Sequence, residues 1–115
     1  MNNSPDFVTE TVNDIFIVTI NLKRATVDEA GDLNKILSDA FINGQTKFLI
    51  EMYDVEYIDS TFLGALVVNL KRTIESNGKF GLIGFKASLH TIIQQMSLDR
   101  TFEIYKSREE ALNSI

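Results

Sequence analysis

Two hydroxyl side chains directly after an aspartate are the residues of this chain best suited to carry a chemical modification. Asp59, Ser60 and Thr61 lie where an apolar strand-like run gives way to an apolar helical pattern. The first N–H groups of a helix lack intrahelical acceptors, and the helix dipole favours negative charge there. A phosphate on Ser60, or alternatively on Thr61, could therefore be held without unfolding the helix.

The competing interpretation of these residues is an ordinary helix cap, since Asp, Ser and Thr are all preferred at that position. Two observations favour a further role. Two hydroxyls follow the aspartate where one cap would suffice, and Gly64 stands in the helix interior, where Gly costs roughly 1 kcal/mol against Ala. That cost predicts a close approach to the Gly64 backbone, by a neighbouring element of the chain or by a partner.

The remaining residues with chemical potential form no recognisable catalytic or ligand-binding set. His90 is the only histidine and cysteine is absent, so no nucleophile and base pair with a known spacing can form. Acidic residues cluster before Asp59, but no glycine-turned loop with EF-hand spacing accompanies them. We therefore expect no catalytic residues, no metal site and no cofactor, and a protein that acts by binding and not as an enzyme.

Length and composition predict one domain spanning residues 1–115. The chain is 44% hydrophobic, which is enough to bury a single core without metals or disulfides. It has no cysteine, no charged-then-apolar leader and no apolar run long enough to cross a bilayer, so we expect a cytoplasmic protein. The net charge of -5 disfavours nucleic acid and anionic membrane surfaces as partners.

The first part of the chain predicts a hairpin followed by a helix. Asn13 and Asp14 suit the positive φ angles of a tight turn, and they separate β-branched and aromatic runs at 7–12 and 15–22. Thr26 then begins a capping-box sequence, which predicts a helix start.

Strand-like and helical patterns alternate over the rest of the chain. Short apolar runs predict buried strands at 47–52, 80–85 and 102–105. Helical spacing after Thr61, again through Met96, and after Ser107 predicts three further helices. We therefore predict a small α/β fold, with a mixed, mostly parallel sheet of about four to five strands and helices packed on one side.

One known family combines these features in the same order. The strand, the loop ending in Asp-Ser-Thr, the Leu63-Gly64 pair and the long amphipathic helix resemble the STAS domain of bacterial anti-sigma factor antagonists. The helix opening near Thr26, the Asn-Gly-Lys break at 77–79 and the ending at 107–112 also follow the family's order. The resemblance thus spans most of the chain and implies the STAS fold.

The resemblance implies a role for each residue of the motif and a function for the protein. Ser60 corresponds to the phosphoacceptor, Thr61 to the neighbouring hydroxyl and Asp59 to the acidic residue beside the acceptor. The unphosphorylated protein would bind a serine-kinase anti-sigma factor and so free the sigma factor. Phosphorylation by that kinase would weaken the contact, and a metal-dependent serine phosphatase would reverse it.

The chain departs from the family pattern at two places within the expected partner surface. Phe62 stands where the family usually has a small residue, and it can be an interface anchor or ordinary core. Before the first helix, this chain has Lys23, Arg24 and Thr26 where the family tends to show a Gly and an Asp, which predicts a more basic docking surface. The predicted partner-binding residues are Lys23, Arg24, Thr26, Asp59, Ser60, Thr61, Phe62 and Gly64.

A second function stays open at this point. The chain could be a STAS-like structural adaptor, a constitutive subunit of a larger signalling or lipid-transport assembly, in which Ser60 is merely a helix cap. Phe62 and the Lys23-Arg24 pair are the features that support this alternative. Phosphorylation of Ser60 distinguishes the two functions.

Overall fold

A five-stranded mixed sheet and four helices make up the structure, a computed structural model that describes residues 5–95 and 102–115. The sheet has the order β1-β2-β4-β6-β7, with strands β1 (Phe7–Val12), β2 (Ile15–Ile20), β4 (Lys47–Glu51), β6 (Lys79–Ile83) and β7 (Glu103–Tyr105). Two short strands, β3 (Arg24–Ala25) and β5 (Tyr57–Ile58), pair separately. The helices are α1 (Val27–Ile42), α2 (Ser60–Glu75), α3 (Ala87–Gln95) and α4 (Arg108–Ser114). Met96, expected in the third helix, lies outside the described residues.

The sheet begins with the predicted hairpin and continues with parallel strands. Asn13 and Asp14 have φ angles of 51° and 65°, as the tight turn requires, and β1 runs antiparallel to β2. Strands β2, β4, β6 and β7 are parallel to one another. Helical crossovers connect them, because parallel neighbours cannot be joined by a hairpin. The predicted mixed, mostly parallel sheet is confirmed.

Helices α1, α2 and α3 cover one face of this sheet. Alternate side chains of the strands point into that layer, because strand side chains alternate between faces with a period of two. The core there includes Val18, Ile20, Phe48, Ile50, Phe80 and Leu82 from the strands and Leu33, Leu37, Leu66, Leu70, Leu89 and Ile93 from the helices. This packing places the N-termini of all three helices near the carboxyl edge of the sheet.

Helix α4 lies on the opposite face, so the prediction that the helices pack on one side is wrong for this helix. Ala111 of α4 packs against a second buried cluster of sheet residues, formed by Ile15, Ile17, Leu49 and Ile83. The sheet is therefore covered on both faces at this point, which explains why strands β4 and β6 are buried almost throughout.

An ion pair attaches α4 to that second face. The Arg108 guanidinium donates to both carboxylate oxygens of Glu51, at 2.7 Å each, and also to Glu10 at 2.9 Å. Thr19 donates its hydroxyl to the same Glu51 carboxylate at 2.7 Å. These hydrogen bonds hold the pKa of Glu51 below its ordinary value; Arg108 contributes most, while burial of the carboxyl acts in the opposite direction.

A polar contact between α1 and α2 keeps these two helices side by side. The buried Asn69 of α2 donates one amide to Asn34 of α1 at 2.9 Å and to the Ala65 carbonyl at 2.7 Å. Arg72 donates to the side-chain amide oxygen of Asn69. Because a buried amide is costly unless it is hydrogen-bonded, this network favours one relative placement of the helices.

Candidate functional site

The two short strands β3 and β5 bring the starts of α1 and α2 together. Arg24 pairs with Tyr57 and Ala25 with Ile58, in parallel. The backbone N–H of Asp59 extends this ladder by donating to the Ala25 carbonyl at 3.2 Å. Because each strand leads directly into a helix, the N-terminal turns of α1 and α2 lie next to each other.

The Asp59 carboxylate caps both of these helices. One oxygen, Oδ1, accepts the Phe62 N–H at 2.8 Å, which makes Asp59 the N-cap of α2. The other oxygen, Oδ2, accepts the Val27 N–H of α1 at 2.8 Å. A single negative charge thus satisfies one orphan donor at each of two helix N-termini, where the dipoles favour it.

Thr26 caps α1 through the predicted capping box. The Glu29 carboxylate accepts the Thr26 N–H at 2.9 Å, and the Thr26 hydroxyl accepts from the Asp28 N–H at 3.4 Å. Thr26 is therefore directly adjacent to the residue that Asp59 binds, and its hydroxyl is engaged in holding α1.

Ser60 and Thr61 occupy the first two positions of α2, and both are exposed. The side-chain hydrogen bonds found within residues 5–95 and 102–115 include neither hydroxyl. The simple cap interpretation therefore applies to Asp59 and not to the hydroxyls. Helix geometry leaves the N–H groups of Ser60 and Thr61 without intrahelical acceptors beside an accessible hydroxyl.

The basic residues predicted for this surface lie along its edge. The Arg24 guanidinium stacks over the Tyr57 ring, with its carbon 4.2 Å from the ring centre, and both side chains are exposed. Lys23 is exposed too, and its carbonyl accepts the N–H groups of Glu56 and Tyr57. The stacking holds one positive charge close to the strand that leads to Ser60.

Phe62 does not belong to the surface. Its side chain is 0% exposed and lies in the core beneath α2. The sequence left two roles open for Phe62, and the structure supports a role as an ordinary core residue. The inclusion of Phe62 among the partner-binding residues is therefore wrong. The reason is the helix periodicity: the third residue of α2 faces the sheet, on the same side as Leu66 and Leu70.

Gly64 has no close neighbour within the described residues. A Cβ placed on it would meet no atom within 4 Å, so the predicted approach of a neighbouring element is wrong. Gly31 on α1 is likewise open. The approach of a partner at Gly64 stays a prediction.

Three residues of this surface were missed by the sequence reasoning. Val27 is 59% exposed at the start of α1, Val68 is 61% exposed on α2, and Tyr57 carries the stacked Arg24. A signal existed for the two valines: each lies outside the stripe of core positions on its helix, where an apolar side chain gains nothing from burial. Val27 lies in the first turn of α1, and Val68 lies about 12 Å beyond Ser60 along α2.

The described residues contain no group of three or more His, Asp or Glu side chains able to hold a metal ion. Within the same ranges, no helix is long and apolar enough to cross a membrane. The chemistry available at the site is thus that of an accessible hydroxyl at two capped helix starts, bordered by basic and apolar side chains.

The comparison with protein families identifies the fold that carries this site. The family model described as the STAS domain matches residues 6–111. The chain belongs to the STAS domain family. This confirms the resemblance seen in the sequence.

Several known proteins match this chain over nearly their whole length. A Thermotoga maritima protein provisionally described as an anti-sigma factor antagonist is 32% identical over 110 residues, 95% of this chain and 96% of the relative. A Thermotoga maritima crystal structure with the same provisional description is 30% identical, with a TM-score of 0.83, covering 95% of this chain and 93% of that one. The phosphorylated form of the Bacillus cell fate determinant SpoIIAA has a TM-score of 0.77 at 15% identity, over 94% and 97% of the two chains. That last likeness concerns the fold alone.

Proposed function

We propose that this STAS protein is a cytoplasmic anti-sigma factor antagonist switched by phosphorylation of Ser60. In the unphosphorylated state, the surface around Ser60 binds a serine-kinase anti-sigma factor and displaces the sigma factor. The kinase then transfers a phosphoryl group from ATP, with Mg²⁺ held on the kinase, to the Ser60 hydroxyl. A metal-dependent serine phosphatase hydrolyses the phosphoserine and restores binding.

The observation that carries this proposal is that Asp59, and not Ser60, caps helix α2. Asp59 supplies the cap of α2, so the exposed Ser60 hydroxyl is not needed to hold the helix. A hydroxyl that is accessible and structurally dispensable can be modified without loss of the fold. The names of the bacterial relatives support the functional class.

The surroundings of Ser60 favour tolerance of a phosphate within the free protein. The N–H groups at the start of α2 and the α2 dipole stabilise added negative charge. Arg24 and Lys23 add positive charge to the segment that pairs with β5. The phosphate would therefore act on the partner, by placing close to two negative charges in the contact.

Only a small change in binding free energy is needed for phosphorylation to act as a switch. An uncompensated charge at a buried contact commonly costs a few kcal/mol, and about 1.4 kcal/mol already lowers affinity tenfold. The exposed Val27 and Val68 would supply apolar contact area to a partner that covers the starts of α1 and α2 together with the exposed side of α2.

Phosphorylation by a kinase tests the proposal directly. The protein is incubated with a serine-kinase anti-sigma factor from the same organism and ATP, and the peptide covering residues 53–71 is analysed by mass spectrometry. Phosphate should appear on Ser60, and Ser60→Ala should abolish it while Thr61→Ala leaves it in place. Phosphate on Thr61 alone would assign the switch to the neighbouring hydroxyl, and no phosphate on either would overturn the proposal.

A constitutive STAS adaptor is the second candidate function. The exposed Val27 and Val68 favour it, because exposed apolar surface could support a contact that needs no modification. The two functions differ in one measurable property. An adaptor would retain its partner when Ser60 is replaced by Asp, whereas a switched antagonist would release the kinase.

A further inference from the structure

A cavity of about 520 Å³ opens at the carboxyl edge of the sheet, apart from the Ser60 surface. Its lining includes several aromatic residues, and those used below are Tyr53, Phe85, His90 and Lys106. Small-molecule sites in proteins have this size and this mixture of aromatic walls with a few polar groups. The cavity has no part in the function proposed above, which rests on different residues.

The cavity lies between two neighbouring strands that lead to helices on opposite faces of the sheet. After β6 the chain enters α3 on one face of the sheet, and after the adjacent strand β7 it enters α4 on the other face. The loops leaving two neighbouring parallel strands therefore separate and leave a crevice. Ligands of open α/β sheets bind in such crevices, outside the carboxyl ends of the strands.

The walls of this crevice are held in place by close packing. Gly84 has a φ of 70°, and a Cβ there would lie 2.4 Å from the Tyr53 ring, so only glycine lets the ring rest on the backbone. The Gly84 N–H donates to the Tyr105 carbonyl at 2.9 Å. Phe85 and His90 meet edge to face with ring centres 5.4 Å apart. A ligand would find the aromatic surfaces already ordered, which lowers the entropic cost of binding.

The charge of the lining is opposite to that of the protein. The chain has 16 acidic residues and a net charge of -5. Among the described residues, however, no carboxylate lines the cavity, and the only charged lining residue is Lys106. A cation beside aromatic side chains is complementary to an anion with a flat apolar body.

We propose that this cavity binds a small planar aromatic carboxylate, with the ring between the Tyr53 and Phe85 side chains and the carboxylate at Lys106. The rings provide stacking and apolar contact for the body of the ligand. The ammonium group of Lys106 provides the charge-assisted hydrogen bond that selects the anion over a neutral analogue.

Titration of the ¹⁵N-labelled full chain with 2-naphthoate, followed by amide chemical shifts, tests this proposal. Saturable shifts are expected at Gly84, Ala87, His90 and Lys106. The uncharged 2-naphthamide should bind about tenfold more weakly, because it loses the charge-assisted interaction. Lys106→Gln should lower naphthoate affinity about tenfold and leave naphthamide affinity unchanged.

Lys79→Gln is the matched control, because Lys79 is also exposed but lies at the amino end of β6, away from the cavity. It should leave naphthoate affinity at the wild-type value. Absence of saturable shifts, or shifts spread over the surface, would overturn the proposed site. Equal affinity for naphthoate and naphthamide, or equal effects of the two lysine variants, would overturn the choice of an anion. None of these results depends on phosphorylation of Ser60.

Discussion

Asp59 Oδ2 lies 2.8 Å from the backbone nitrogen of Val27, and through this hydrogen bond one carboxylate holds the starts of two helices. The bond joins residues 32 positions apart and fixes α1 relative to Ser60. Asp59 is thus both a neighbour of the proposed acceptor and a structural support of the surface around it. Loss of partner binding in an Asp59 variant would therefore have to be separated from loss of stability.

The first prediction concerns this double cap. Asp59→Ala should lower the free energy of unfolding by about 2 kcal/mol, because it removes an N-cap and a second charge-assisted hydrogen bond. Asp59→Asn should fall between this variant and wild type, since it retains one carbonyl oxygen where the carboxylate offers two. Urea denaturation monitored by circular dichroism measures both values.

Asp54→Ala is the matched control for the Asp59 variants. Asp54 is an exposed carboxylate in the loop that precedes β5. Its replacement should change the free energy of unfolding by less than about 0.5 kcal/mol. If the Asp54 and Asp59 variants were equally stable, the double cap would make no measurable contribution.

The second prediction compares two serines at helix starts. Ser107 caps α4, with its hydroxyl accepting the Glu110 N–H at 3.1 Å, whereas Ser60 follows a cap. Ser107→Ala should cost about 1 kcal/mol, and Ser60→Ala less than about 0.5 kcal/mol. Ser60→Asp should be at least as stable as wild type, because an acidic residue in the first turn interacts favourably with the dipole. A large loss of stability in both Ser60 variants would mean that the hydroxyl has a structural role.

The third prediction concerns the ion pair that attaches α4 to the sheet. Arg108→Met should lower the free energy of unfolding at neutral pH by about 2 to 3 kcal/mol, because it leaves the Glu51 carboxylate buried without its partner. The Glu51 side chain is 8% exposed and that of Arg108 33%, which places the expected cost at the lower end for buried pairs. Glu10→Gln should cost less, since Glu10 is more exposed.

The same pair gives a pH dependence with a defined sign. The pKa of Glu51 is lowered from 4.5 in the folded protein, chiefly by Arg108. A lowered folded pKa contributes stability that is present above the unfolded value and lost as the pH falls through the folded one. The stability difference between wild type and Arg108→Met should therefore be largest at neutral pH and shrink in acid. A difference that grew as the pH fell would contradict this assignment.

The local sequence predicted well the features that depend on neighbouring residues. The capping box at Thr26 and the hairpin turn at Asn13 and Asp14 depend on residues within a few positions of each other, and both were found. Such short-range chemistry acts before any tertiary contact forms. The strand pattern also predicted the sheet, because buried parallel strands are nearly continuous apolar runs.

The errors arose where distant residues decide the outcome. Helix α4 lies on the second face, where Arg108 reaches Glu51, 57 positions away, and Ala111 joins a buried cluster of sheet residues. No local pattern shows these contacts. The sequence left the approach at Gly64 open between a neighbouring element and a partner, and the described residues place no neighbouring element within 4 Å of a Cβ there. The hydrogen bond from the Val27 N–H to Asp59 also joins residues far apart in the sequence, so no local pattern predicts it.

The last prediction separates the two surfaces of α2. Phe62 is fully buried and Val68 is 61% exposed, so they should behave in opposite ways when truncated. Phe62→Ala should lower the free energy of unfolding by about 3 to 5 kcal/mol through lost burial and a cavity. Val68→Ala should change it by less than about 0.5 kcal/mol. Chemical denaturation measures both.

Titration with the kinase completes this comparison. Phe62→Leu retains most of the buried volume and should keep the fold at a cost of about 1.5 kcal/mol or less, so its affinity can be measured on folded protein. That affinity should equal the wild-type value, because Phe62 does not reach the surface, whereas Val68→Ala should bind more weakly through loss of apolar contact. Weaker binding by a folded Phe62→Leu, with Val68→Ala unaffected, would return Phe62 to the partner surface and remove Val68 from it.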